Sequence, residues 1–300
     1  MRHLSYAVLL PFSCLAFSTI ANTDVYIADI KMNNGKYKLE QVKNITARSG
    51  YDNQPNFAPD NSGLYYTAMY QITDKKFQTD TMFYRFADEE TRNVSQTWDT
   101  SEYSPTPFNQ GKSLSFIKVE TDGTQRLWSM TVNDAQQRIL NEDIKPVGYH
   151  AWGENDELAL FVLGEPMTLQ YIKKPSQKAG ETVAGNIGRS IRYNASHQKF
   201  SYSFGDKQQT LATFDPKSGK TTSLLTLPKD AEYYTWLDDQ RVLSAEGNKI
   251  MVWNYQSGNP TAHWRLFADV SQHCETKVSR LAVNNTATKI AFVCDEKSEG

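Results

Sequence analysis

The order of apolar and polar positions along the chain repeats six times. In each repeat, a strand-like segment that usually carries an aromatic residue precedes a polar turn and a second, more apolar segment. The second segments start 50, 44, 42, 42 and 48 residues apart, at Leu64, Leu114, Leu158, Phe200, Val242 and Ile290. A period of about 40–50 residues that contains only strand-like segments is typical of β-propellers, in which each repeat forms one blade.

Six further pairs of strand-like segments lie between these repeats and begin at Val25, Met82, Leu127, Leu169, Leu211 and Met251. Several alternate apolar and polar residues, as half-buried strands do, and no long stretch has helical periodicity. The series starts with an outer pair at 25–46 and ends with an inner pair at 279–293, and we predict that 25–46 pairs with the strand at 288–294. We therefore predict an all-β, six-bladed propeller of four-stranded blades, closed by pairing the N- and C-terminal strands in one blade. Such closure removes the exposed sheet edges that an open array would leave.

One turn carries a resemblance to a known family. The run Phe57–Tyr66 reads FAPDNSGLYY and resembles the aromatic-Ser-Pro-Asp-Gly-x-x-aliphatic-aromatic pattern of TolB-like, WD40-like propeller repeats. Ala58 takes the Ser position, and two residues separate Asp60 from Gly63. The resemblance implies the propeller fold and assigns no residue a role. Independently of it, Asp60 is expected to form an Asx-turn with the backbone that follows it.

Residues 1–21 differ from the rest of the chain. A short basic start is followed by an uncharged apolar segment and by small residues before Ala21, which indicates a cleaved signal peptide. We thus expect residues 22–300 to form the propeller domain, in the periplasm, with no membrane span. Lipidation at Cys14 is disfavoured, because Pro11 and Phe12 stand where small or aliphatic residues are expected.

Removal of the signal leaves two cysteines, Cys274 and Cys294. An even number of cysteines in an exported protein favours a disulfide bond, although two buried thiols remain the alternative. If the bond forms, it lies in the last repeat and fastens the blade in which the termini meet.

Charge and motifs exclude little beyond nucleic-acid binding. The 32 Lys and Arg residues nearly balance 34 Asp and Glu residues, and no basic stripe is present. There is no Gly-x-Ser-x-Gly elbow of a serine hydrolase. The four histidines after the signal show no metal-binding spacing, although a propeller axis can gather distant residues. We predict no metal and no cofactor, and the sequence does not indicate an oligomeric state.

The loops that enter the six innermost strands should meet at one mouth of the central channel. Tyr and Arg are enriched in recognition surfaces, and loops commonly carry function. The predicted binding residues are Asp52, Gln54, Glu102, Tyr103, Tyr149, His150, Arg189, Glu232, Tyr233 and Arg280. A second set of aromatic residues is predicted to pack between blades rather than to stack on a ligand: Phe57, Phe108, Trp152, Tyr193 and Trp236.

Together these features favour an exported, non-catalytic TolB-like propeller that binds or scaffolds a protein of the cell envelope. The alternative is an enzyme with a site in the axial channel, such as a lyase or hydrolase that acts on a sugar or a lactone. A channel filled by side chains, with an aromatic patch outside it, would favour the binding protein. A solvent-reachable cluster of carboxylates or histidines would favour the enzyme.

Overall fold

The computed structural model describes residues 22–73, 76–255 and 263–296. Within these ranges, 24 strands form six four-stranded antiparallel sheets, and a 3₁₀ turn at Asn109–Gly111 is the helical element. The predicted all-β, six-bladed propeller is confirmed. The predicted signal peptide and Cys14 lie outside the described residues. Within the described part of the chain, no helix has the length and hydrophobicity needed to span a bilayer.

The strands of the first half of the chain are β1 Thr23–Asn33, β2 Lys36–Asn44, β3 Asp52–Phe57, β4 Gly63–Thr73, β5 Lys76–Arg85, β6 Thr91–Asn93, β7 Ser101–Phe108, β8 Ser113–Val119, β9 Gln125–Thr131, β10 Gln137–Asn141, β11 Val147–Trp152 and β12 Leu158–Val162. Those of the second half are β13 Thr168–Ile172, β14 Glu181–Gly185, β15 Ile187–Asn194, β16 Lys199–Phe204, β17 Thr210–Asp215, β18 Lys220–Thr226, β19 Tyr234–Trp236, β20 Arg241–Glu246, β21 Lys249–Asn254, β22 Arg265–Asp269, β23 Val278–Val283 and β24 Lys289–Asp295.

Each blade runs outward from the channel as a simple meander. Blades 1 to 5 consist of β3–β6, β7–β10, β11–β14, β15–β18 and β19–β22. Blade 6 has the order β23-β24-β1-β2, so that both ends of the chain contribute to it. The inner strand of every blade starts at one face of the ring, and the turn that follows it lies on the opposite face.

The closure of the ring in blade 6 is confirmed. β1 pairs antiparallel with β24 from Thr23 opposite Asp295 to Asp29 opposite Lys289. The predicted disulfide is also present: Cys274 and Cys294 are bonded, with their Cα atoms 5.6 Å apart. Because one cysteine lies on β24 and the other just before β23, the bond joins β24 to the segment that enters the inner strand of the closing blade.

The hydrophobic core lies between neighbouring blades and draws mainly on their second and third strands. All five residues of β12 are buried, a pattern that only a strand covered on both faces can satisfy. Phe108 of blade 2 stacks on Trp152 of blade 3, with ring centroids 4.4 Å apart. The indole N–H of Trp236 in blade 5 donates to Ser201 Oγ in blade 4. For these three residues, the predicted packing between blades is confirmed.

The turn between β3 and β4 has the predicted conformation. Asp60 Oδ1 accepts hydrogen bonds from the backbone N–H of Ser62 at 3.0 Å and from its hydroxyl at 2.7 Å. These bonds hold the pKa of Asp60 below its usual range. A Cβ at Gly63 would lie 2.3 Å from the carbonyl oxygen of Tyr84. The glycine is therefore required by close contact with β5 rather than by backbone conformation.

Candidate binding surface at the channel mouth

The inner strands carry β-bulges that turn side chains toward the channel. The pairing of β3 with β4 shifts between Asn53 and Asn56, and that of β7 with β8 shifts between Tyr103 and Thr106. Each of these shifted segments contains a proline, Pro55 or Pro105, which lacks the N–H that a continuous ladder needs. Similar shifts occur in β11, β15 and β23. Bulges of this kind bend a strand and redirect its side chains.

The bulges of blades 1 and 2 are joined directly. Gln54 has a positive φ of 59° and Ser104 one of 56°, so both residues adopt the left-handed conformation at the bulge. Gln54 Oε1 accepts hydrogen bonds from the backbone N–H of Ser104 at 2.6 Å and from Thr67 Oγ1 at 2.9 Å. Gln54 thus acts as a bridge between two inner strands, and its side chain is committed to that contact.

Six large side chains, one from each blade, occupy corresponding positions where the inner strands begin. We call this set the rim: Tyr51, Tyr103, Tyr149, Arg189, Tyr233 and Arg280. The electrostatic coupling of Tyr51 with Arg280, Tyr149, Tyr233 and Tyr103 shows that residues from different blades converge here. Burial raises the pKa of Tyr51, while the positive charge of Arg280 opposes that rise.

Arg280 is held between two tyrosines of the rim. Its Nη2 donates to the hydroxyls of Tyr149 at 3.0 Å and Tyr233 at 2.9 Å. Its guanidinium carbon lies 3.9 Å from the ring centroid of Tyr233 and 5.1 Å from that of Tyr149. Cation–π contacts at such distances stabilise a cation that has left bulk water. The rim therefore presents a positively charged group framed by aromatic rings.

Beneath the rim lies a cavity of about 50 Å³, lined by inner-strand residues of five blades. His150 is one of them and is 6% exposed. Ser115 Oγ donates to the carbonyl of Thr106 and contacts His150 Nε2 at 2.6 Å, so the histidine proton lies on Nε2. The other ring nitrogen, Nδ1, is buried without a partner among the described residues. Burial lowers the pKa of His150 to about 3, and the ring is neutral at physiological pH.

Arg192 is a cavity residue that the sequence analysis missed. Its guanidinium donates to the carbonyl oxygens of Ile191 at 3.1 Å and Leu281 at 3.5 Å, and so crosses from blade 4 to blade 6. Burial lowers the pKa of Arg192, and the like charge of Arg280 acts in the same direction. The repeated arginine at 189 and 192 was the only hint in the sequence. The sequence does not predict the bulge in β15 that directs both side chains toward the axis.

Asp52 and Glu102 are placed away from the channel cavity. Both are 0% exposed. Asp52 pairs with Arg48 at 2.7 Å, yet burial raises the pKa of Asp52 to about 6 against the effect of that arginine. Burial also raises the pKa of Glu102, which accepts hydrogen bonds from the hydroxyls of Thr97 and Thr100. Both carboxyls bind segments that lead into inner strands.

A repeated network supports those segments and was also missed. In blade 6, Asp24 accepts a hydrogen bond of 2.7 Å from Asn44, at the end of the outermost strand. In blade 1, Asp80 accepts bonds from Asn93 at 2.7 Å and from Ser95 at 3.2 Å. The signal was the tripeptide Asn-x-Ser/Thr after both outermost strands. The network orients the chain as it returns to the next inner strand.

A groove of about 230 Å³ opens beside the rim between blades 5 and 6. Glu232, which is exposed, and Lys277 line it together with Tyr233. The structure thus brings Tyr103, Tyr149, Arg189, Tyr233 and Arg280 together at the mouth, with His150 and Gln54 beneath them and Glu232 alongside. Among the residues that the structure describes, no group of three or more His, Cys, Asp or Glu side chains is arranged to hold a metal ion.

Comparison with known proteins supports the fold. No protein-family model and no curated protein matches the chain. A propeller from Agrobacterium tumefaciens assigned as TolB superposes with a TM-score of 0.68 at 9% identity, over 93% of this chain and 100% of that one. TolB from Acinetobacter baumannii gives a TM-score of 0.58 at 12% identity over 92% of this chain, which spans 64% of that protein's length. An oligogalacturonate lyase in complex with manganese gives 0.53 at 14% identity, over 88% and 83% of the two chains.

The class of protein that these similarities define is the six-bladed propeller with a TolB-like fold. The expectation drawn from the Phe57–Tyr66 turn is therefore confirmed for the fold. At identities of 9 to 14%, the likeness reaches the fold and no further.

Proposed function

We propose that this protein is an exported, non-catalytic propeller that binds a protein of the cell envelope through the rim and the adjoining groove. The observation that carries the proposal is the rim itself. Tyrosine and arginine side chains from six blades converge on one face, and they are the residue types most enriched at the centres of protein interfaces. Because the blade strands pair and pack with one another, we expect a partner to bind at the mouth.

The shape of the channel supports a binding role over an axial enzyme site. The cavity beneath the rim has a volume of about 50 Å³, too small for a sugar ring. The groove beside the rim is larger, and it carries charges of both signs in Glu232 and Lys277. This arrangement suits a polypeptide segment that lies across the mouth and inserts only a side chain or a terminus.

Export is supported by two observations of different kinds. The first is the signal-like pattern of residues 1–21. The second is the bond between Cys274 and Cys294, since structural disulfides persist in oxidising compartments such as the periplasm. Immunoblotting of periplasmic and cytoplasmic fractions, with N-terminal sequencing of the mature chain, tests this part of the proposal.

The binding face is tested with two charge-matched double variants. Arg189→Ala with Glu232→Ala removes one cation and one anion from the mouth. Lys112→Ala with Asp239→Ala removes the same charges from turns on the opposite face. Purified wild type and both variants are used to capture partners from envelope extract, with crosslinking mass spectrometry to map the contact and thermal melting to verify the fold.

We expect the variant at the mouth to lose most of the captured partner and the opposite-face variant to retain it. Loss of a central interface contact can weaken binding by about 2 kcal/mol or more, whereas surface substitutions usually change stability by within about 0.5 kcal/mol. Equal capture by the two variants, or crosslinks confined to the opposite face, would refute the mouth as the binding surface.

The enzyme alternative rests on one feature, the neutral His150 in the channel, whose Nδ1 has no partner among the described residues. With a pKa of about 3 the imidazole is a weak base, but its unprotonated Nδ1 can accept a hydrogen bond from a substrate. Turnover of an oligosaccharide or a lactone by the purified protein, abolished in His150→Gln and retained in His197→Gln, would favour that alternative.

A further inference from the structure

Two arginines, Arg192 and Arg280, meet in the channel with no carboxylate partner among the described residues. Burial lowers the pKa of Arg192 and so does the positive charge of Arg280, whereas Arg189 in the rim interacts with the carboxylate of Glu232. No ion pair of the described residues involves Arg192 or Arg280. The absence of a counter-charge is local, since the chain as a whole carries 34 acidic residues and a net charge of −2. The channel is therefore a positive site in a slightly acidic protein.

Two buried acids at the start of inner strands are bound to other groups and do not supply the missing charge. Asp52 is paired with Arg48, and Glu102 is bound by the hydroxyls of Thr97 and Thr100. Burying a cation without an anion is unfavourable, because the loss of hydration is not offset by an ion pair. A fold that places like charges together in this way is stabilised when an anion binds between them.

The site also has hydrogen-bond donors to spare. A guanidinium carries five N–H groups, and Arg192 directs two nitrogens at carbonyls while Arg280 uses one nitrogen on two tyrosines. The hydroxyls of Tyr149 and Tyr233 accept from Arg280, which leaves their own protons available. Ser104 Oγ lines the cavity and is buried with no partner among the described residues. Two independent signs, unpaired charge and an unpartnered hydroxyl, thus point to the same cavity.

We propose that the channel binds a carboxylate, held by the guanidinium groups of Arg192 and Arg280 and by the hydroxyl of Ser104. A guanidinium matches the two coplanar oxygens of a carboxylate in a bidentate contact. A cavity of about 50 Å³ admits one such group and little else. The inference goes beyond the proposed function, because the site needs no protein partner to be filled.

The test measures binding of sodium acetate to the full mature chain by isothermal titration calorimetry, at constant ionic strength set with chloride. Acetamide serves as the neutral isostere and phosphate as the other common oxyanion. Arg192→Gln removes a proposed ligand group, and Arg265→Gln is the matched control on the exposed outermost strand of blade 5. Ser104→Ala and Arg280→Lys are additional variants in case Arg192→Gln does not fold.

We expect acetate to bind to the wild type and to Arg265→Gln alike, and acetamide to bind to neither. Loss of a charged hydrogen-bonding group should weaken acetate binding about tenfold or more in Arg192→Gln or Arg280→Lys, with a smaller loss in Ser104→Ala. Undiminished binding in all three channel variants would overturn the proposal. So would equal heats for acetate and acetamide, or binding of phosphate without binding of acetate.

A second arm identifies the source of the carboxylate. A short peptide that ends in a free carboxylate is compared with its C-terminal amide. Tighter binding of the free peptide than of acetate assigns the carboxylate to a polypeptide, and equal binding assigns it to a small molecule. Both results support the site. Because this experiment uses no envelope extract, its outcome is independent of whether the captured partner contacts the rim.

Discussion

Asp52 is the carboxyl group whose ionisation the fold most clearly opposes, and it allows a quantitative prediction. The side chain is 0% exposed, and its Oδ2 has no partner among the described residues. Oδ1 lies 2.7 Å from Arg48, whose side chain is 31% exposed and shares its charge with solvent. Burial therefore outweighs the ion pair and raises the pKa of Asp52 from 3.8 to about 6, with Asp24 acting in the same direction.

The sign follows from proton linkage. Because the pKa is higher in the folded protein than in the unfolded chain, folding favours the protonated acid. The resulting stabilisation is fully present below pH 3.8 and is lost as the pH rises through about 6. A difference of about two pH units at about 1.4 kcal/mol per unit corresponds to ~3 kcal/mol. About 2 kcal/mol of this should be lost between pH 4.5 and 7.5.

Asp52→Asn removes the titration and leaves the volume of the side chain almost unchanged. The free energy of unfolding of wild type and variant is measured in urea by tryptophan fluorescence at several pH values, with the disulfide intact. The difference, variant minus wild type, should rise by about 2 kcal/mol from pH 4.5 to pH 7.5. Any constant effect of the buried amide cancels in this slope. A flat difference over the range would refute the reasoning.

An exposed carboxyl provides the matched control for this measurement. The backbone N–H of Thr124 donates to Asp122 and lowers the pKa of Asp122. Its stabilising contribution is present above the unfolded pKa and is lost as the pH falls. Asp122→Asn should therefore change the pH dependence in the opposite sense, and only slightly.

Three further outcomes are expected. Cys274→Ala with Cys294→Ala should lower the free energy of unfolding by ~3 kcal/mol, because the bond closes a loop with a sequence separation of 20; equal urea midpoints for the wild type with and without reductant would contradict this. Deletion of 22–46 should expose the edge of β24 and cause aggregation, which sedimentation would detect; a monomer with the wild-type melting temperature would argue against the closure. Gly63→Ala should lower stability by about 1–3 kcal/mol, because the new Cβ would lie 2.3 Å from Tyr84 O. Thermal melting indistinguishable from wild type would show that β5 moves to accommodate the methyl group at no cost in stability.

The candidate surface shows where sequence reasoning reached its limit. That Tyr149, Arg189 and Arg280 face one mouth followed from the repeat, because each precedes or begins an inner strand. That Asp52 and Glu102 turn away from the cavity did not follow, although both hold comparable places along the chain. Their orientation depends on Arg48, Thr97 and the outer-strand network, which are contacts between segments that the period does not describe.

Local pattern and count determined the architecture of this protein. Six blades and closure through blade 6 could be predicted from the spacing of apolar segments, the turn at Asp60 and the order of outer and inner pairs. These features depend on short-range periodicity and on the need to leave no sheet edge free. Only the tertiary structure decided that Arg192, far from Arg280 in the chain, shares a cavity with it. It also decided that Ser104 and His150 lie there with polar atoms that no other described residue contacts. The physical reason is that a bulge shifts the pairing of a strand by one residue and so reverses the face on which the following side chains lie. The position of a bulge depends on the partner strand rather than on neighbours in the sequence.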